Sequence, residues 1–481
     1  MVQLFSSILA SGPRKFAAFL AGFLAWTSPT LAAQAESPFE RAHYKLALSL
    51  ATKFFYAQYS GKLPSDFPIS WRGDSGLTDG ADQGLDLTGG WYDAGDHMKF
   101  GLPMAFSATS LAWAAIEFPN SFAATESDRH LKAHLRWVND YFLRCYQRPD
   151  PQDLSQDLFY AQIGVPELDH AYWGPAEDMA MARPSFAVSA QAPGSEVTAE
   201  TAAALAAASI IFTNSGDTGY GEDLLRAARR LFEFSETYQG RYSDAIPEAA
   251  GAYKSYSGYQ DELGWAAAWL FRATNEITYL SKAQNYYSPP HTDGAFSWDY
   301  KDPGTAALLA QLTGDPQYWK DLDAYLAFWR GGMIRTPGTH SNHGLAWFSD
   351  WGPNRYALSS AYLANLRAEA ASFEGHFAYS EDLTQFATDQ LDYILGDNPL
   401  SQSYVTGFGP KYPRFPHHRG ASGAKTVTDA KENRHSLPGA LVGGPHKDGS
   451  YSDNRENYRQ NEVATDYNAA LVAALAARLG R

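Results

Sequence analysis

The sequence predicts an all-α protein, a toroid of six helical hairpins with its long loops gathered on one face. Three observations carry that prediction. Apolar residues recur at helical spacing in about twelve segments, while little of the chain reads as strand. The connections alternate between short and very long. No linker or low-complexity stretch interrupts the pattern, so residues 36–481 read as one domain.

The segments lie near residues 38–58, 103–118, 124–146, 195–213, 217–238, 258–273, 275–287, 303–313, 315–331, 354–373, 376–396 and 459–479. Pro103 suits the first turn of the second helix, where its missing N–H costs nothing. In the third, Leu131, Leu135, Val138 and Phe142 form an apolar stripe that ends at Cys145, the only cysteine. A single cysteine excludes an intrachain disulfide, and its position marks it as a buried small hydrophobe, not a nucleophile. Gly314-Asp-Pro316 separates the eighth helix from the ninth, and Gly396-Asp-Asn-Pro399 stops the eleventh. Even-to-odd connections are brief: Pro119 to Ala123, Asn214 to Gly216, Thr274, Gly314 and Glu374-Gly375. Odd-to-even connections run from roughly 15 to 60 residues, well beyond the usual length. With successive helices antiparallel, every long loop emerges at one end, where function is expected.

At the N-terminus, Arg14 and Lys15 precede the apolar run Phe16–Trp26 and then Leu31-Ala-Ala-Gln-Ala35. That order is a secretory signal, too short to span a bilayer, and predicts export with cleavage after Ala35 or, alternatively, Ala33. Whether the product stays in a periplasm is left open. Loss of Arg14 and Lys15 takes the formal net charge from −15 to −17, which disfavours nucleic acid and anionic membranes as partners. The 13 Trp, 29 Tyr and 27 Phe serve a large core or stack on sugar faces.

Thr88-Gly-Gly-Trp-Tyr-Asp-Ala-Gly-Asp-His-Met-Lys-Phe100, in the first long loop, sets Asp93 and Asp96 three residues apart among Trp91, Tyr92 and His97. Taken alone it reads equally as a solvated turn. Ser403–Arg419, in the last long loop, ends in His417, His418 and Arg419, donors for hydroxyls or a carboxylate. Adjacent histidines rarely share one ion, so zinc is not expected. Glu462 falls in the first turn of the last helix, where a surface Glu would complement the helix dipole.

Together these stretches resemble glycoside hydrolase family 9, the inverting cellulases with an (α/α)6 barrel. The match runs in order through Gly89–Phe100, Ser257-Gly-Tyr-Gln-Asp-Glu-Leu263, Tyr404–Arg419, Glu432-Asn-Arg-His-Ser436 and Asn461-Glu-Val-Ala-Thr-Asp-Tyr-Asn468. The resemblance implies an endo-β-1,4-glucanase, acting as a monomer. Glu462 would be the general acid, Asp96 the general base that activates water, and Asp93 a second holder of that water. An inverting pair should stand about 6.5–9.5 Å apart. A helix N-terminus would lower the Glu462 pKa, so neighbouring Asp93 and Asp96 and burial against Tyr467 would have to raise it.

The resemblance further implies sugar contacts from His417 and Arg419, stacking by Trp173, Trp351 and Tyr467, and roles for Tyr253 and Tyr256. Members often carry Trp at the position of Tyr256, so a platform there is smaller. A structural Ca²⁺ site is implied at Ser257, Gly258, Asp261, Glu262 and Asp299, hard oxygen ligands suited to that ion. The acidic run Asp74–Asp86 lacks EF-hand spacing and reads as loop. With no carbohydrate-binding module read in the chain, an open cleft acting on soluble or amorphous β-1,4-glucan is expected. Mixed-linkage glucan, an exo-acting glucosidase on the same toroid, and a non-catalytic glycan-binding protein are the alternatives. The last would be expected to lack a carboxylate, and Asp93, Asp96 and Glu462 are all present.

Overall fold

The structure, a computed structural model, describes residues 37–339 and 343–481, and residues 37–481 form one compact unit. The expected signal segment, 1–35, lies outside the described residues. Twelve long helices follow the predicted order. They are α1 (Arg41–Lys53), α2 (Gly101–Glu117), α3 (Asp128–Cys145), α4 (Ser195–Asn214), α5 (Thr218–Thr237) and α6 (Gln260–Thr274), then α7 (Ile277–Tyr286), α8 (Asp302–Thr313), α9 (Pro316–Gly331), α10 (Pro353–Phe373), α11 (Phe377–Leu395) and α12 (Thr465–Gly480).

The even helices form a closed inner ring. Each packs on the next, α2 on α4, α4 on α6, α6 on α8, α8 on α10, α10 on α12, and α12 back on α2. Each odd helix lies outside its hairpin partner, and α1 covers α12, so the first and last helices complete the sixth hairpin. Composition explains the two rings. Inner α4 is surrounded, and its run Ala202-Ala-Ala-Leu-Ala-Ala-Ala208 is buried on every side, small side chains letting neighbours approach closely. Outer α3 buries one face, the stripe Leu131, Leu135, Val138, Phe142 and Cys145 with His134, Asn139 and Tyr141 beside it. Among the described residues α4 is also the helix long and apolar enough to cross a membrane, and its place in the inner ring accounts for that composition.

Local chemistry sets the boundaries. Asp315 caps α9 by accepting from the Gln317 N–H at 2.9 Å, with Pro316 at the first helical position. Gly314 ends α8 at φ 70°, the left-handed region that glycine tolerates. At the barrel's centre Trp113, Trp265 and Trp269 meet edge to face, with centroids 5.4–6.1 Å apart.

The loop face also carries a small antiparallel sheet that the sequence pattern does not announce. Strand β3 (Leu158–Ile163) pairs with β1 (Lys99–Phe100), β2 (Tyr146–Gln147) and β4 (Ser185–Val188). β1 begins where the Asp93/Asp96 loop ends and runs straight into α2, so it fixes that loop to the ring.

Candidate active site

Three distant segments converge on the loop face. The Asp93 N–H donates to Met98 O at 3.0 Å, and the Asp93 carbonyl accepts from the Thr465 N–H at the start of α12 at 2.9 Å. The Gly95 carbonyl accepts from the Arg419 N–H at 2.9 Å. His417 N–H donates to Asn461 O at 2.7 Å, which lays 417 beside Glu462 as a parallel bridge. Gly95 is required by this closeness, because a Cβ there would stand 1.8 Å from His417 O.

Within the 88–100 stretch only the two carboxylates are left for chemistry. Trp91 is buried in the core, the Tyr92 hydroxyl donates to Ser75 Oγ at 2.9 Å, and His97 Nε2 donates to Gly174 O at 2.9 Å. Burial keeps His97 neutral, its pKa lowered to about 3. Asp93 Oδ2 accepts from the Tyr253 hydroxyl at 2.5 Å, and Asp96 Oδ2 lies 3.3 Å from His170 Nε2. The second oxygens of both, Asp93 Oδ1 and Asp96 Oδ1, are buried with no protein partner.

Glu462 stands elsewhere than the sequence suggests. It precedes α12 by three residues, extended at φ −62° and ψ 144°, after the single helical turn Tyr458–Asn461. The dipole of α12 therefore does not act on it as a first-turn residue, and the expected tension with an acid role disappears. Its Oε2 accepts from the Trp351 indole N–H at 2.9 Å.

The carboxylates differ in charge state. Glu462 is raised to about 7, by burial first and the Asp96 charge second, against the lowering influence of Trp351, Arg355 and Arg419. Burial pushes Asp96 up as well. There the His170 hydrogen bond and the charges of Arg419 and His170 outweigh it, and Asp96 falls below the ordinary Asp value. Asp93 is held well above that value by burial and by Asp96. Near neutral pH such a site sets an ionised Asp96 beside a Glu462 able to hold and release a proton, the division of labour of an acid and base pair.

A match to the family model Glycosyl hydrolase family 9 runs over residues 44–475. This chain belongs to glycosyl hydrolase family 9. It is 47% identical over 446 residues to endoglucanase B of Cellulomonas fimi, covering 90% of this chain and 42% of that protein. To endoglucanase 10 of Arabidopsis thaliana it is 42% identical over 464 residues, covering 90% and 86%. The endoglucanase structure from the termite Nasutitermes takasagoensis superposes with a TM-score of 0.82 at 41% identity, covering 91% of this chain and 98% of that one. The cellulase Cel9M of C. cellulolyticum, solved in complex with cellobiose, gives 0.81 at 35%, covering 91% and 98%. The chain thus spans less than half of the C. fimi relative and 66% of endoglucanase A of Bacillus pumilus.

The remaining family 9 positions fall into three groups. His417, Trp173, Arg419 and Trp351 stand with the carboxylates. His417 Nδ1 donates to Arg455 O at 2.6 Å, and its ring meets Trp173 edge to face at 5.0 Å. Burial lowers its pKa to about 4. Trp173 donates to Ser422 Oγ at 3.1 Å, and Trp351, 40% exposed, shows an open ring beside Tyr458. Arg419 is buried, with Nη1 donating to Asp169 Oδ1 at 2.8 Å, so its guanidinium acts on the site mainly as a fixed charge. Two tyrosines differ from expectation. Tyr467 is 2% exposed under the Arg355 guanidinium and offers no face for stacking, while buried Tyr253 spends its hydroxyl on Asp93.

The third group holds the residues expected to bind Ca²⁺. Tyr256, 80% exposed, donates its N–H to Asp299 Oδ1 at 2.9 Å, and the Ser257 hydroxyl donates to Asp299 O. Asp261 and Glu262 are buried. Lys301 binds both, its N–H to Asp261 Oδ2 at 2.8 Å and its Nζ to Glu262 Oε1 at 3.0 Å. The sequence reading missed His170, Asp169 and Arg355, which orders Asp466 through a 2.6 Å ion pair. The signal available for the first two was their place in Leu168-Asp-His-Ala-Tyr-Trp173, a charged pair beside a Trp already singled out.

Proposed function

We propose that the protein is an endo-β-1,4-glucanase that cleaves internal bonds of soluble or amorphous cellulose with inversion. The observation that carries this reading is the opposed state of two carboxylates in one site, Glu462 raised to about 7 beside an Asp96 kept ionised. Glu462 gives its proton to the leaving glycosidic oxygen, while Trp351 orients the carboxyl and stabilises the carboxylate that remains. Asp96 removes a proton from the water that attacks the opposite face of the ring. Asp93, fixed by Tyr253, supplies the second acceptor for that water through Oδ1. Trp351 and Trp173 offer rings for sugar faces, and His417 a polar edge for hydroxyls. The relatives named endoglucanase and the cellobiose-bound Cel9M support the substrate class.

Proton NMR of a cello-oligosaccharide during early hydrolysis tests this directly. The α-anomer is expected first. Initial β-anomer would mean retention and refute the pairing of Asp96 with Glu462.

We also propose Ca²⁺ as a structural cofactor. Asp261 Oδ1 and Glu262 Oε2 are buried carboxylate oxygens with no hydrogen-bond partner, which is costly unless a cation meets them. With Ser257, Gly258 and Asp299 they make an all-oxygen set whose chemistry fits a hard ion. The Lys301 ammonium pairs with Glu262 while only its backbone N–H meets Asp261, so Asp261 is the principal carboxylate. Bound Ca²⁺ would tie the 255–262 turn to Asp299 and do no chemistry. A chelator should lower the melting temperature and added Ca²⁺ restore it, with calorimetric titration reading the binding itself. Unchanged melting and no binding heat would remove the site. Export is proposed from the signal pattern alone, and N-terminal sequencing of secreted protein should begin at Glu36 or Gln34.

A further inference from the structure

An ion triad lies under the loop that carries Asp93 and Asp96, and the reaction as described above makes no use of it. Lys99 Nζ is 2.7 Å from Asp79 Oδ2 and donates to Leu87 O at 3.0 Å and Gly89 O at 2.9 Å. Arg183, from the α3–α4 loop, donates through Nε to Asp79 Oδ1 at 2.7 Å and through Nη2 to Asp79 Oδ2 at 3.3 Å. Its Nη1 donates to His97 O at 2.7 Å. The Asp79 and Lys99 side chains are fully buried and that of Arg183 is 7% exposed. The three carbonyls held, at 87, 89 and 97, bracket the catalytic loop at both ends, and all are referred to one carboxylate.

A buried ion pair is a poor way to gain stability, since desolvating the charges offsets most of their attraction. What the forked guanidinium supplies is direction: two bonds to Asp79 fix its plane, and the third donor then fixes the His97 carbonyl. His97 is the residue after Asp96, so this bond fixes the His97–Met98 peptide, one residue beyond the candidate base. Between Thr88 and Met98 there is no helix or strand to do the same.

We propose that Arg183 is a positioning residue for hydrolysis, holding the His97 carbonyl against Asp79 so that Asp96 and Asp93 keep their aim at the attacking water. The proposal rests on the glucanase reading and extends it to a residue outside the substrate's reach.

The decisive variant is Arg183→Met, which leaves Asp79 and Lys99 as a neutral buried pair. With cello-oligosaccharide, kcat should fall about 10- to 100-fold with KM within about twofold, the scale of a sub-ångström to 1 Å misplacement. An aryl cellobioside with a good leaving group should show the same loss, because it relieves the acid step and not the base step. Arg183→Lys, which keeps the charge without the fork, should recover part of kcat. Hydrogen exchange read by mass spectrometry should quicken in 88–98 and stay unchanged in Ser195–Asn214.

Wild-type kcat in Arg183→Met, a rise in KM alone, or unchanged exchange in 88–98 would overturn the proposal. Should Arg183→Met fail to fold, Arg183→Lys decides: wild-type kcat and exchange there refute it. If the wild-type enzyme itself leaves β-1,4-glucan uncut, the glucanase reading fails, while the exchange measurement still decides whether Arg183 holds the loop.

Discussion

Replacing Trp351 with Phe removes the indole N–H together with its five-membered ring and leaves a phenyl. The ring remains to pack beside Tyr458, whose centroid is 5.1 Å away, while Glu462 Oε2 loses the donor that stands at 2.9 Å. That donor favours the charged carboxylate, so its loss favours the neutral acid and the Glu462 pKa rises. A hydrogen bond to a charged group contributes about 1.5–3 kcal/mol, and the open setting of Trp351 places this one at the low end. At 1.36 kcal/mol per pKa unit the shift is about one unit. The assay is kcat/KM against pH on a soluble cello-oligosaccharide, which reports the free enzyme's acid and base as macroscopic values. The alkaline limb, near pH 7 in the wild type, should move up by about one unit. The acid limb belongs to Asp96, which Trp351 does not touch, and should stay in place below the ordinary Asp range. An alkaline limb that stays put or moves down would refute the assignment of Glu462 as the acid held by Trp351.

Glu462→Gln should abolish hydrolysis of unactivated glucan while the thermal melt stays wild-type, because an isosteric amide keeps the Trp351 contact; substantial residual activity would remove Glu462 from the acid role. Gly95→Ala should cost about 2–4 kcal/mol in denaturant titration and nearly all activity, since its Cβ would meet a backbone carbonyl that cannot rotate away; a wild-type midpoint would mean that the two loops are not so closely apposed. Glu196, inside the barrel, is raised from 4.5 to about 8 by burial, so the folded protein holds its proton where the unfolded chain does not. Its contribution is full below pH 4.5 and is lost as pH rises toward 8. Glu196→Gln should therefore gain melting temperature relative to wild type across that window; a difference that does not vary with pH would refute the argument.

The ring was legible because two independent patterns agree. Helical periodicity marks the twelve segments, and the alternation of short and long connections says which ends lie together. Where a single pattern had to serve, it failed. Leu158-Phe-Tyr-Ala-Gln-Ile163 does not alternate, since β3 is buried on nearly all of its length, and two-residue β1 and β2 are too short to show any period. The start of α12 was placed six residues early because Tyr458–Asn461 does form a helical turn. Bridges from His417 to Glu462 and from Val442 to Val463 then pull the chain out straight before α12 begins. Asp93, Asp96 and Glu462 could be named from their motifs. Which residues would bind them could not: Tyr253 and Trp351 were expected at sugars and His170 not at all, and the three lie 160, 111 and 74 residues away from the groups they bind. Exposure is equally non-local: nothing in the sequence around Tyr467 says that Arg355 covers it.

The same distance explains how one cleft can keep two carboxylates in opposite states. Asp96 and Glu462 are both pushed toward the neutral form by burial, and each makes the other harder to ionise, so only one can relieve the repulsion. Which one is decided by donors from other loops. The Arg419 charge, itself anchored by Asp169, acts on both, but Asp96 has a histidine that can carry charge at 3.3 Å, whereas the donor to Glu462 is a neutral indole N–H. The proton accordingly rests on Glu462, and protonating Asp96 would weaken the repulsion that holds it there. A variant that strips Asp96 of its negative charge should thus lower the Glu462 pKa as well as removing the base. The two roles are coupled through the charge of Asp96, and the acid is poised only while the base is ionised.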